Sequence, residues 1–336
     1  MSNETSINKI GIIGAGAWGT ALTQNLANSG HDVLLYAREE DVVESINTRH
    51  ENERFLPKVR LNEMIKATHN EKEMASCDLL ILMTPAQHIR KTLQTFKQTL
   101  TETPFIIGAK GIELESGCML SDVVSEELGD DIIFGFISGP TFASEIARGL
   151  PCAVTLAVND KAVGEDIIHA IGSRTLRTYL TDDLIGVQLG GAVKNVIAIA
   201  CGVVEGRHMG ESARCALVTR GLAEMGRLAT ALGANKQTLM GMCGIGDLML
   251  TCSSKQSRNF SFGYALGEGK TAQEILEERE AVTEGYYTAK ALHILSQNNA
   301  VDMPISEAVY EVLYEGAKID TIFEKLLDRP LRLENI

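Results

Sequence analysis

The chain has 336 residues, more than a single hydrophobic core usually serves, so two domains are expected. Hydrophobic residues make up 45% and charged residues 22%, a balance that excludes a disordered chain. The formal charge of −13 argues against nucleic acid and against an anionic membrane surface as partners. Aromatic residues are only 5% while glycines number 31, which favours aliphatic α/β layers with tight turns. The seven cysteines form no Cys-x-x-Cys pair, so free thiols in a reducing cytoplasm are expected. The seven histidines are scattered as well, and no metal site is expected.

Met1 to Asn8 is short and polar, without a basic start and an apolar core, so no signal peptide is expected. Lys9 to Ile13 reads as a strand, and Ala17 to Ser29 as a helix stopped by Gly30. Between them lies Gly14-Ala-Gly16-Ala-Trp18-Gly19, in the strand–turn–helix setting that a dinucleotide fingerprint requires. Gly14 permits the tight turn, Gly16 lets backbone amides approach a pyrophosphate, and Gly19 allows close helix–sheet packing. Val33 to Ala37 is the second strand, followed by Arg38. Arg38 suits a ribose 2′-phosphate, a surface arginine being the plainer alternative; a strand end one residue later brings Glu39 into play instead, so NADPH and NADH both stay open.

Leu79 to Met83, Phe105 to Ile107, Ile132 to Phe134 with Phe136 and Ile137, and Ala153 to Val158 read as further strands. Such near-continuous apolar runs, separated by helical patterns, imply a parallel sheet covered on both faces. Gly108-Ala-Lys110-Gly111 follows one of these strands. Ligands of open α/β sheets bind beyond the carboxyl ends of strands, which would place Lys110 near the cofactor; a solvated loop lysine is the plainer alternative.

The pattern changes near Thr181, where Thr181-Asp-Asp183 supplies cap chemistry and helical periodicity takes over. Domains of 1–181 and 182–336 are expected on that basis. Leu184 to Val204 is the most apolar stretch; with Gln188, Lys194, Asn195 and several glycines it reads as a buried helix, not a membrane span. Lys194 has Gly190, Gly191, Ile197 and Ala198 as its helical neighbours, so it lacks a wet face to reach. A buried ammonium needs an anionic partner, which marks Lys194 as functional. Downstream, Asp247 could hold such an ammonium, and Ser257-Arg258-Asn259 offers forked donors for a phosphate; a Gly-rich turn followed by a polar loop is an equal alternative on spacing alone. Asp302-Met-Pro304 marks a later helix start.

The stretches Gly14-Ala-Gly-Ala-Trp-Gly-Thr-Ala21, Ala109-Lys-Gly-Ile112, Ser138-Gly-Pro-Thr-Phe-Ala143, Lys194-Asn195, Gly246-Asp-Leu248, Thr251-Cys252, Ser257-Arg-Asn259 and Glu284-Gly285 occur here in one order and spacing. With them the chain resembles bacterial NAD(P)-dependent glycerol-3-phosphate dehydrogenases along nearly its whole length. The resemblance implies an N-terminal Rossmann, doubly wound sheet and an all-helical C-terminal domain similar to that of 6-phosphogluconate dehydrogenase. It implies reduction of dihydroxyacetone phosphate to sn-glycerol 3-phosphate by NADPH or NADH, for glycerophospholipid synthesis, in a cytoplasmic homodimer. It makes Lys194 the proton donor and acceptor, and puts Lys110, Gly139, Thr141, Asn195, Asp247, Thr251, Ser257, Arg258 and Asn259 around the substrate. It puts Gly14, Gly16, Ala17, Trp18, Gly19, Arg38, Lys110, Ala143, Arg258, Val282 and Glu284 along the cofactor. Many relatives carry Ser where Ala17 stands, a hydroxyl that backbone amides can replace. The competing readings are a 3-hydroxyacid or 6-phosphogluconate-type dehydrogenase and a non-catalytic dinucleotide sensor. The sensor would need neither a buried Lys194 nor a phosphate-gripping loop.

Overall fold

A computed structural model of the chain describes residues 7–278 and 283–330. The chain forms two compact units: residues 1–109 with 121–184, and residues 110–120 with 185–336.

The first unit begins β1 (Lys9–Ile13), α1 (Ala17–Asn28), β2 (Asp32–Tyr36) and α2 (Glu40–Arg49). A hairpin of β3 (Glu51–Asn52) and β4 (Leu56–Arg60) follows, then β5 (Lys66–Thr68), β6 (Leu79–Leu82), α3 (Ile89–Thr95), α4 (Lys97–Glu102) and β7 (Phe105–Ile107). It closes with α5 (Leu120–Leu128), β8 (Phe134–Ser138), α6 (Ala143–Ala147), β9 (Cys152–Val158), α7 (Lys161–Ile171) and β10 (Leu176–Thr181). Eight strands make one sheet in the order β5-β2-β1-β6-β7-β8-β9-β10. The run from β5 to β8 is parallel, and its order reverses at β1, which has β2 on one side and β6 on the other. Residues at the carboxyl end of β1 therefore stand at the switch point where such sheets take their ligands. Every residue of β6 is buried, as are Ile10 to Ile13 of β1, consistent with strands covered on both faces.

Three features differ from the sequence expectation. The sheet is not wholly parallel, because β9 runs antiparallel to β8. The link between them carries only the five-residue α6, whose Ile146 and Ala147 cluster with Ala21 of α1. The polar or very short strands β3, β4, β5 and β10 carry no continuous apolar run; β10 is an edge strand with most residues at least partly exposed. Finally, a single cut near Thr181 misses the excursion of residues 110–120, whose Ile112 and Met119 join the core of the second unit.

The second unit holds α8 (Leu184–Gly206), α9 (Glu211–Ala231), α10 (Asp247–Cys252), α11 (Arg258–Gly267), α12 (Ala272–Glu277), α13 (Glu284–Asn298), α14 (Pro304–Tyr314) and α15 (Ile319–Leu327). Helix α8 is long and apolar enough by composition to cross a membrane, but 94% of that window is buried within the protein. Its aliphatic residues form the centre of a cluster shared with α9, α11, α13 and α14. All seven cysteines are free thiols.

Helix α14 is capped from a distance. Pro304 opens it, and the next two amides, Ile305 and Ser306, donate to the Glu224 carboxylate of α9 at 2.6 and 3.1 Å. Glu224 is only 1% exposed, and burial pushes its carboxyl up to about 7, against the opposing pull of those donors. A raised acid value means the folded chain keeps a proton that the unfolded chain releases near 4.5. Stability from this group is therefore full below that point and falls as pH rises towards 7. Chemical denaturation should show wild type losing stability relative to Glu224→Gln over this window, at up to roughly 1.4 kcal/mol per pH unit. Parallel curves for the two proteins would refute it.

Candidate active site

In the first unit the Gly14–Gly19 turn sits at the carboxyl end of β1. Gly14 takes φ +118, and a Cβ there would lie 2.9 Å from the Met83 backbone just beyond β6. A Cβ on Gly19 would lie 2.0 Å from the Gly14 carbonyl, so the start of α1 can press onto the turn only without one. At Gly16 an added Cβ would meet nothing within 4 Å. That open space lies at the N-cap of a twelve-residue helix with no side-chain cap and no acidic residue in its first turn. Backbone amides and the helix dipole there favour an anion, so the turn fits a dinucleotide pyrophosphate. Trp18 donates from Nε1 to Thr141 Oγ1 at 2.8 Å, and Thr141 in turn donates to the Gly139 carbonyl at 3.3 Å. Ala143 begins α6 two residues further on. Gly139 and Thr141, expected around the substrate, are thus grouped with Trp18 and Ala143 in this unit. Arg38 follows β2 with its side chain 84% exposed and is paired only at the surface with Glu39, a contact a phosphate can displace at little cost.

In the second unit, α8 is apolar on every side, yet Lys194 is buried within it. Its Nζ donates to Asp247 Oδ1 at 2.5 Å and to Thr251 Oγ1 at 2.8 Å. Asp247 opens α10, and Thr251 lies one turn later and donates back to Asp247 Oδ1 at 3.2 Å. The other carboxylate oxygen accepts from Lys110 Nζ at 2.6 Å. Two ammonium groups therefore share one carboxylate. Burial pulls Asp247 upward, but the charges and hydrogen bonds of Lys110 and Lys194 together outweigh it and hold the carboxyl below its ordinary value. Burial pushes Lys194 down, Asp247 raises it and Lys110 lowers it again; the outcome is about 8. Near neutral pH the three groups carry a net positive charge inside an acidic protein. Lys110 is accordingly no solvated loop lysine, its side chain being 19% exposed.

A chain of amides ties this cluster to the next helix. Asn195 Nδ2 donates to the carbonyls of Lys110 and Gly191 at 3.2 and 3.3 Å. Asn195 Oδ1 accepts from Asn259 Nδ2 at 2.8 Å, and Asn259 Oδ1 accepts from the Gly285 amide at 2.9 Å. Lys194 and Arg258 are thus the sequence neighbours of a directly bonded pair. Ser257 caps α11 by accepting from the Phe260 amide, and exposed Arg258 is that helix's first residue. An exposed guanidinium at the N-terminus of a ten-residue helix suits a phosphate. Glu284 begins α13 beside Gly285, while Val282 lies outside the described residues.

Both units have counterparts in one known family. Residues 9–164 match the profile described as the NAD-dependent glycerol-3-phosphate dehydrogenase N-terminus, and residues 183–324 match that of its C-terminus. The chain belongs to the NAD-dependent glycerol-3-phosphate dehydrogenase family. A glycerol-3-phosphate dehydrogenase [NAD(P)+] from Parvibaculum lavamentivorans is 49% identical over 97% of this chain and 98% of its own length. One from Maricaulis maris is 49% identical with the same coverage. The crystal structure of glycerol-3-phosphate dehydrogenase from Coxiella burnetii superposes with a TM-score of 0.91 at 38% identity, covering 96% of this chain and 99% of that one. As a family member the chain is an NAD(P)-linked dehydrogenase with a Rossmann-type first unit and a helical second unit.

Two buried residues at the glycine turn, Thr20 and Asn52, escaped the sequence reading. Asn52 sits 32 positions beyond Thr20, in a polar stretch whose pairing only the fold reveals. Within the lysine cluster, Asp247→Asn should drive the Lys194 pKa well below 8, because the attraction that opposes burial is removed. The Lys194 Nζ signal in an NMR titration reports this; an unmoved midpoint would mean the carboxylate does not control the lysine.

Proposed function

We propose that the chain interconverts dihydroxyacetone phosphate and sn-glycerol 3-phosphate, with Lys194 as the general acid and base. The carrying observation is the buried Lys194–Asp247–Lys110 cluster, joined through Asn195 and Asn259 to the Arg258 helix start. When bound, the reduced nicotinamide supplies the hydride that goes to C2 of the ketone. Gly14, Gly16, Ala17, Trp18 and Gly19 would hold the cofactor's pyrophosphate region, Arg38 a 2′-phosphate, and Ala143 and Glu284 its remaining length. Arg38 makes NADPH an accepted cofactor alongside NADH.

Lys194 Nζ carries three protons when charged. Two are committed to Asp247 and Thr251, which leaves the third for the substrate oxygen. As C2 is reduced, charge builds on that oxygen, and Lys194 stabilises it and then transfers the proton. In oxidation, neutral Lys194 takes the hydroxyl proton. Lys110 adds a second positive charge, Asp247 and Thr251 hold the acid in place, and Asn195 and Asn259 brace the Lys110 backbone and the start of α11. Arg258, with the backbone amides that open α11, is the proposed grip on the substrate phosphate, Ser257 and Asn259 holding that helix start in place; Gly139 and Thr141 are the proposed substrate contacts of the first unit. We further propose a cytoplasmic homodimer that supplies glycerophospholipid synthesis. The free thiols are in keeping with a reducing compartment.

NADPH oxidation should be at least about 100-fold more efficient with dihydroxyacetone phosphate than with dihydroxyacetone, since a charge-assisted phosphate grip is lost with the latter. Equal rates, or a preference for hydroxyacids in the same panel, would overturn the substrate. Lys194→Ala should lower kcat by 10²-fold or more, roughly the share of a general acid, with cofactor affinity intact. Arg258→Ala should chiefly raise the KM for the phosphorylated ketone.

Reduction requires protonated Lys194, so its rate should decline as pH rises through about 8. Oxidation requires the neutral amine and should climb over the same range. Profiles for the two directions that bend the same way near 8 would remove Lys194 from the proton transfer.

A further inference from the structure

The carbonyl of Ala15, in the middle of the glycine turn, is held from two sides. Asn52 Nδ2 donates to it at 2.9 Å and Thr20 Oγ1 at 3.1 Å. Asn52 Nδ2 also donates to Thr20 Oγ1 at 2.8 Å, so the three groups form a closed ring. Asn52 is 1% exposed and Thr20 is fully buried. The remaining polar atom of Asn52, Oδ1, accepts from the Phe55 amide at 3.2 Å. That bond sets the turn of the β3–β4 hairpin. The hairpin itself is anchored, because Leu56 of β4 packs with Ala21 of α1 and with Ile146 and Ala147 of α6.

The peptide joining Ala15 to Gly16 is planar and trans, so its carbonyl and its N–H point in opposite directions. Holding the Ala15 oxygen inward onto Asn52 and Thr20 turns the Gly16 N–H outward. This is the amide beside the open space at Gly16, where a Cβ would meet nothing within 4 Å. Without the inward bonds the plane could rotate, and the cofactor would have to order it on binding, a cost subtracted from affinity.

We propose that Asn52 is a positioning residue for the dinucleotide: by fixing the Ala15 carbonyl it aims the Gly16 amide at the cofactor's pyrophosphate. This rests on reading the glycine turn as the pyrophosphate site. Asn52 is buried with both its polar atoms bonded within the protein, so on this proposal its removal weakens cofactor binding and leaves chemistry on the bound cofactor nearly intact.

Trp18 is the only tryptophan in the chain and lies in the turn, so its fluorescence reports cofactor binding directly. NADPH titrations of Asn52→Ala and of Asn52→Asp, which keeps the size but loses the donor, should each show a Kd raised about 10-fold, the value of roughly one hydrogen bond. The KM for NADPH should rise in step, while kcat at saturating cofactor changes less than about two-fold. Thr20→Val removes the companion bond and should raise Kd about three-fold. Unchanged Kd values in Asn52 variants that melt at a lower temperature would reduce Asn52 to a structural role and overturn the proposal. If neither Asn52 variant folds, an unchanged Kd in Thr20→Val overturns it equally. Gly16→Val separates the two levels: if filling the open space also leaves Kd unchanged, the glycine turn is not the pyrophosphate site. If Gly16→Val abolishes binding while the Asn52 variants bind normally, only the role of Asn52 fails.

Discussion

The second unit is organised around an ammonium that burial alone would neutralise. Taking Lys194 out of water disfavours its charge, and the shared carboxylate of Asp247 restores part of what is lost. The balance leaves a lysine that holds its proton near neutral pH yet can release it about one unit above. Neither partner would serve alone. A fully exposed lysine would be a weak acid, and a buried one without Asp247 would be neutral at working pH.

Keeping that balance places demands on the surrounding helices. Asp247 must open α10 so that Thr251, one turn on, faces the same ammonium. Residues 110–120 must leave the sequence order of the first unit so that Lys110 reaches the second oxygen of the carboxylate. The amides of Asn195 and Asn259 then tie α8 to the start of α11, which brings Arg258 into the same neighbourhood. Most of these groups have their hydrogen bonds within the cluster, so it is held in one arrangement before any ligand arrives.

The first unit follows the same logic with backbone atoms. A glycine turn at the switch point of the sheet needs no charged side chain to attract an anion, because helix amides suffice. What it does need is a fixed peptide plane, and a side chain from a hairpin far along the sequence supplies the fixing bond. In both units, then, a polar group of the proposed site owes its direction to a buried polar partner remote in sequence.

Much of this was legible in the sequence. Apolar runs marked the buried strands β1, β2, β6 and β7, because strands covered on both faces tolerate little else. The glycine spacing marked the turn, and the lack of any other charge near Lys194 marked it as buried and paired. Strands β3, β4, β5 and β10 were not legible, since short or edge strands carry no strict pattern. Nor was the direction of β9, which depends on how its short connection packs. Local sequence thus determined which residues are buried and which backbone positions must be glycine, since those follow from composition and sterics within a few residues. Only the tertiary structure decided that Lys110 and Lys194 share the Asp247 carboxylate and that Asn52 reaches Ala15. Those partners lie 37 to 137 positions apart, and hydrogen bonding between them depends on distances that no local pattern encodes.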